Sequence, residues 1–228
     1  MADRPILFSA PMVRALLDGR KSQTRRIIKP QPSEIVTSAG HYTNSVEGDT
    51  GQWSWLSGDP RDCDTWGFEG DFKLRFVTGD RLYVREHWRT LRENHEGLAP
   101  RYLHNDAPIL YIADGSIVGL PSGDRTSLFG KHRQAMHMPR WASRLTLTVT
   151  DVRVQRLHEC SEEDAVAEGI ENNPLLGWKS YNHPFDYFTD PRVSYMTLWN
   201  SINGPGSWEA NPWVCAVSFS VERRNIDG

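Results

Sequence analysis

The chain lacks an excess of either charge. Its 228 residues carry 26 Lys plus Arg against 29 Asp plus Glu, a formal net charge of -3. That excludes a protein whose nucleic-acid affinity comes from overall charge, although a local basic cluster can still meet a phosphate. Cysteine is scarce. Cys63, Cys160 and Cys215 are far apart and odd in number, which argues against a disulfide framework and excludes a Cys-x-x-Cys metal clip. No apolar run approaches the roughly 20 residues that span a bilayer, and the amino terminus lacks the basic-then-apolar pattern of a secretory leader. The expectation is a cytoplasmic protein with no membrane partner and no obligate protein partner. The eight histidines have no zinc-like spacing; the nearest approach to one is His132 and His137, beside Met136 and Met138, and no metal or organic cofactor is expected.

What is present is a globular composition, 38% hydrophobic and 24% charged with nine Trp, ample for a core within one sizeable domain over residues 1–228. "RPILF" reads as a short buried strand. Ser9 is then placed as a helix N-cap with Pro11 in the first turn, Met12, Val13, Leu16 and Leu17 recur at helical spacing, and Gly19 ends the helix. The basic stretch "GRKSQTRR" therefore starts at a helix exit, and "TRRIIK" continues as a strand until Pro30 and Pro32 break it. Two loop-rich insertions are expected, at about 33–77 and about 92–139, the second interrupted by the strand "PILYIADG" with its Asp-Gly turn.

Between them, "TGDRLYVREHW" alternates as a half-buried strand and puts Glu86 on the face of Leu82, Val84 and Trp88. "SRLTLTVTDVRVQRL" is a long strand whose apolar phase slips at Thr150-Asp151, as a bulge or sharp bend would make it. "SEEDAVAEGI" is a helix with Ser161 as N-cap, acids in its first turn and Gly169 as its stop. Glu168 falls at the carbonyl end, where the helix dipole opposes an acid by about 0.3–1 kcal/mol. Helix stability does not explain it. A third helix carries Val193, Met196, Leu198, Trp199 and Ile202, and "WVCAVSFSVER" follows as an alternating closing strand. The class is α+β, and the strands scattered among short helices suggest a small mixed β-barrel.

"GRKSQTRR", "GDRLYVRE", the bent strand running into "SEEDAVAEGI", and "LWNSINGPGSWEANPWVCAVSF" together resemble ASCH-domain proteins of the PUA-like superfamily, of the longer type found in tailed phages and prophages. The family pattern Gly-x-Lys-x-x-Glu-x-Arg is met at Gly19, Lys21 and Arg26, with Thr24 in place of the usual Glu. Members that remove the acetyl group of N4-acetylcytidine also carry threonine there. The resemblance implies a PUA-like barrel and a catalytic set of Lys21, Thr24 and Glu168, the last placed by aligning the helix start on Ser161-Glu162. Ser22, Arg26 and Glu86 are the expected substrate-binding residues. The substrate is a small nucleoside, with RNA as an alternative ligand.

The chemistry implied is coherent. A threonine hydroxyl attacks an amide only with a base in reach. A lysine becomes such a base when burial and its neighbours lower its pKa, and a carboxylate can orient the amine. Residues three apart meet in a turn but oppose each other in an extended strand, so the turn at Gly19 is expected to bring Lys21 beside Thr24. Trp53, Trp55 and Trp66 could stack on a base or pack inward. A module that only binds RNA through Lys21, Arg25 and Arg26, and a ribonuclease using Lys21 and Glu168, are the alternatives.

Overall fold

A computed structural model describes residues 2–44, 48–59, 61–95, 97–120 and 128–228. In chain order the elements are β1 (Asp3–Leu7), α1 (Ala10–Leu17), β2 (Gln23–Ile27), β3 (Val36–Asn44), β4 (Gly48–Ser57) and β5 (Gly67–Lys73). There follow β6 (Arg81–Arg85), β7 (Trp88–Thr90), α2 (Arg92–His95), β8 (Ile109–Tyr111), β9 (Ile117–Val118) and β10 (Thr146–Arg156). The last are α3 (Glu162–Ala167), β11 (Asn172–Asn173), β12 (Gly177–Lys179), β13 (Tyr187–Phe188), α4 (Pro191–Asn203) and β14 (Trp213–Glu222). The class is α+β, with many strands and few helices, and the sheets are open runs among the described residues. Two compact units are distinguished, Met1–Gly19 with Asp80–Thr148 and Ser220–Gly228, and Arg20–Gly79 with Val149–Phe219.

In the first unit β1 lies parallel to β6, with Ile6 opposite Val84, and β6 pairs antiparallel with the start of β10. α1 buries Met12, Val13, Ala15 and Leu16; Ser9 sits at its N-cap without a side-chain bond, and Gly19 ends it at φ +73°. Leu82, Val84, Glu86 and Trp88 are all buried, but not as one alternating strand: Tyr83 is buried as well, β6 ends at Arg85, and Trp88 begins β7 in another sheet. The short β7, β8 and β9 pair in that order, and Trp88, Ile109, Tyr111 and Met138 form their core. Much of the described chain from 97 to 139 is irregular, as expected; residues 96 and 121–127 of that insertion lie outside the described residues.

In the second unit the order is β10-β14-β2, with β14 and β2 antiparallel and Val217 opposite Thr24. β14 departs from simple alternation: Trp213, Val214, Cys215, Ala216 and Val217 are all buried, because neighbours cover both faces of a central strand. In β10 the pair Thr150-Asp151, where the sequence pattern slips, is exposed; beyond it Val152, Arg153 and Val154 are half-buried and Gln155 is buried, so burial does not change phase as the apolar pattern suggested.

The region 33–77 is not the loop anticipated. β3, β4 and β5 form a three-stranded antiparallel sheet. Register shifts at Val36/Ser38, His41/Thr43 and Trp55/Leu56 break the two-residue period, and so hide the strands from a pattern reading. Trp53 and Trp55 pack inward, Trp55 stacking on Phe72 at 3.9 Å between ring centroids, while Trp66 stays exposed and donates its indole N–H to the Asp59 carbonyl. Residues 45–47 and 60 of this region lie outside the described residues.

Candidate functional site

The centre of the site is made where the C-terminal end of α3 meets the segment leading into β2. α3 begins at Ser161, whose hydroxyl accepts from the Asp164 N–H at 3.1 Å while the Asp164 carboxylate reaches back to the Ser161 N–H. This capping box fixes where the helix starts, and seven residues past Ser161 Glu168 forms the C-cap, followed by Gly169 at φ +86°. That left-handed turn needs glycine. It delivers Glu168 to Lys21, with which it forms an antiparallel bridge, while the Ser22 N–H donates to the Ala167 carbonyl at 2.9 Å.

The Lys21 amine then donates to Oε2 of Glu168 and to the Glu168 carbonyl oxygen, each at 2.9 Å. The Lys21 side chain is 1% exposed and that of Glu168 4%. Glu168 is thus a core acid, not a surface one.

Arg25, fully buried on β2, places Nη1 3.2 Å from Oε1 of Glu168 and 2.6 Å from Oε1 of Gln23. Its Nη2 lies 2.7 Å from Oδ2 of Asp164, whose Oδ1 accepts from Arg153 at 2.7 Å. The Tyr195 hydroxyl on α4 also donates to Oε1 of Glu168, at 3.2 Å. Five charged groups therefore alternate in sign from Arg153 through Asp164, Arg25 and Glu168 to Lys21.

Burial lowers the Lys21 pKa below its usual 10.5 against the pull of Glu168, and the charges of Arg26 and Arg25 lower it further. Burial also works against the Arg25 charge, but Glu168 and the other groups around it outweigh the cost and hold its pKa high. The Tyr195 phenol is pushed well above 10 by burial and by Glu168, and the buried Cys160 thiol is raised to about 12. Neither is an acid or a nucleophile at neutral pH.

The other expected residues fall differently. The turn meant to join Lys21 and Thr24 lies at Asp18-Gly19, upstream of Lys21. From Lys21 the chain is drawn out by the backbone pairs of Ser22 with Ala167 and Phe219, and β2 starts at Gln23. Lys21, Gln23 and Arg25 converge on the acids, so strand alternation sets Ser22, Thr24 and Arg26 on the opposite face. Thr24 is buried at 5%; among the described residues its side chain has no hydrogen-bond partner. Ser22 and Arg26 are exposed. Ser22 joins Arg20, Glu162, Ala167, Trp178 and Thr189 around an open cleft of about 510 Å³.

Glu86 belongs to the first unit. Its two oxygens take a fork from Arg144 at 2.8 and 2.9 Å, and Arg144 also reaches Asp114 at 2.8 Å. Burial still raises the Glu86 pKa above 4.5 despite that partner.

Sequence reasoning gives Arg25 only a phosphate-binding role and Asp164 only a place among the first-turn acids of α3, and it misses Tyr195. A period of two starting at Lys21 would have found Arg25. Tyr195 was passed over because α4 was assigned a different inner face. Ser194, Tyr195, Leu198 and Trp199 are its buried side, whereas Val193 and Met196 are half-buried and Ile202 is exposed. Polar partners draw that face in, since the Ser194 hydroxyl donates to the Lys179 carbonyl at 2.6 Å and Tyr195 reaches Glu168. Among the described residues no group of three or more His, Cys, Asp or Glu is arranged to hold a metal ion. No helix there is long and apolar enough to cross a membrane. The Cys63 side chain lies outside the described set. Comparison with protein-family models, with curated proteins and with solved structures finds no match.

Proposed function

We propose that the protein is an ASCH-type, PUA-like amidohydrolase that removes the acyl group from N4-acetylcytidine or a related N4-acylated cytosine nucleoside. One observation carries the reading: an amine of lowered pKa held in a dry setting by the carboxylate of a residue far along the chain. Lys21 donates two hydrogen bonds to Glu168. A neutral amine has two N–H bonds and so can keep both of these contacts.

In the resting structure the strand period leaves Thr24 on the face opposite Lys21, so the proposed reaction requires the segment at Ser22 to open and turn first; Lys21 then takes the Thr24 hydroxyl proton as the oxygen attacks the acyl carbon. The carbon–nitrogen bond then breaks, Lys21 returns the proton to the departing cytosine amine, and an acyl ester remains on Thr24. Water hydrolyses the ester with Lys21 again as base, releasing acetate and restoring the hydroxyl. Glu168 stabilises the ammonium that forms in between. Ser22 and Arg26, on the exposed side of the segment, are assigned to substrate, and the Ser22 backbone contacts must open for substrate to reach the sealed amine.

The 1% exposure of Lys21 favours a second reading, in which the cluster only fastens α3 to β2. Purified protein incubated with N4-acetylcytidine separates the two by cytidine release. The reading expects turnover in wild type and a loss of at least about 100-fold, the lower end for a missing proton-transfer group, in Lys21→Met, Thr24→Val and Glu168→Gln variants of native circular dichroism. Full activity in folded Thr24→Val and Lys21→Met removes it.

A further inference from the structure

We propose that Arg25 and Tyr195 are positioning residues: together they occupy Oε1 of Glu168 and fix the carboxylate so that it presents Oε2 to Lys21. The inference rests on the Lys21, Thr24 and Glu168 reading above and adds two residues to it.

A carboxylate has two oxygens and about four lone-pair directions. Left free, it can rotate and present either oxygen, or both, to an ammonium, and so keep a lysine charged. Here that freedom is removed from two sides. The Arg25 Nη1 and the Tyr195 hydroxyl each lie 3.2 Å from Oε1. Arg25 is itself held by Gln23 at 2.6 Å and Asp164 at 2.7 Å. The Tyr195 ring packs edge-on against Trp199 and Trp208, with centroids at 6.2 and 6.0 Å. Neither donor can follow the carboxylate if it turns.

The arrangement has a chemical direction. A fully buried guanidinium is costly to place, and apolar side chains of similar volume usually serve stability as well. Beside Lys21 the guanidinium does what an apolar residue cannot: it shares the anion and adds a second positive charge that opposes protonation of the amine. Burial acts in the same direction, and Lys21 is the group whose proton affinity falls. Tyr195 keeps the shared oxygen engaged without adding charge, because its phenol stays protonated.

The test is the side-chain NMR titration of Lys21 in the full chain, its signal assigned by disappearance in Lys21→Arg. In Tyr195→Phe the ring packing is kept and only the bond to Oε1 is lost, and the Lys21 pKa is expected to rise by about one unit as the carboxylate turns toward it. The acidic limb of kcat/KM for N4-acetylcytidine moves up by the same amount, with KM little changed. Arg25→Lys keeps the charge but not the fork, and shifts Lys21 the same way by less. An unshifted Lys21 titration in a Tyr195→Phe protein that melts cooperatively overturns the proposal. A shifted titration in a protein whose wild type releases no cytidine upholds the positioning geometry and removes the reaction it was assigned to serve.

Discussion

Replacing Glu168 with glutamine isolates the charge at the centre of the cluster. The amide keeps the shape of the carboxylate and its two-oxygen fork becomes one oxygen and one NH₂, so Arg25 and Lys21 lose the anion they share and one of them now faces a donor. Arg25 retains Asp164 and Gln23, and Lys21 retains the Glu168 carbonyl. Removing one partner from a buried ion pair costs about 3–5 kcal/mol. For a chain of this size each kcal/mol lowers Tm by about 2–4 °C, so the expected fall is about 6–20 °C. Lys21→Met should cost less, about 1–2 kcal/mol, because Glu168 keeps the Arg25 and Tyr195 bonds. The double variant should then be more stable than the two losses summed, with a coupling of about 1–3 kcal/mol. Urea denaturation followed by tryptophan fluorescence measures all four proteins. A Glu168→Gln loss under about 1 kcal/mol, or additive losses, would refute the buried pairing.

The lowered Lys21 pKa fixes the sign of a pH effect. Between the lowered folded value and 10.5 the unfolded chain holds a proton that the folded chain does not, so stability should rise with pH through that window; Lys21→Met should lose this slope in denaturation series. Glu86 carries the opposite sign. Its folded pKa is raised, so it contributes stability as pH falls from that value toward 4.5, and Arg144→Met should cost about 3–5 kcal/mol at neutral pH and recover part of it in acid. A pH-independent loss in Arg144→Met would show that Glu86 does not titrate there. Ser161→Ala removes the hydroxyl that caps α3 and should lower stability by about 0.5–2 kcal/mol; an unchanged melt would mean the Asp164 half of the box suffices.

Local signals made much of this molecule legible. Ser9, Pro11 and Gly19 bracket α1, and Ser161 and Gly169 bracket α3, because caps and left-handed turns depend on residues at fixed offsets. The pairing of Glu168 with Lys21 came instead from the family resemblance, aligned on that helix start. What was hidden depends on partners distant in the chain. Bulges disguised β3 to β5, and the inner face of α4 is set by Ser194 and Tyr195 reaching polar groups that no periodicity records. Thr24 was expected beside Lys21 on helical spacing; backbone pairing at Ser22 imposes the strand period instead, and the same period brings in Arg25.

The alternating row of charges has one wet end. Arg153 is 43% exposed, whereas Arg25 and Lys21 at the other positions are sealed. Dissolved ions cannot enter the interior, yet they weaken the outermost contact within a Debye length of about 8 Å at physiological salt. Asp164 then leans harder on Arg25, and the anion beyond it is left more to the lysine. Through Asp164 and Arg25 the sealed charges are thus expected to respond to ionic strength although no ion reaches them.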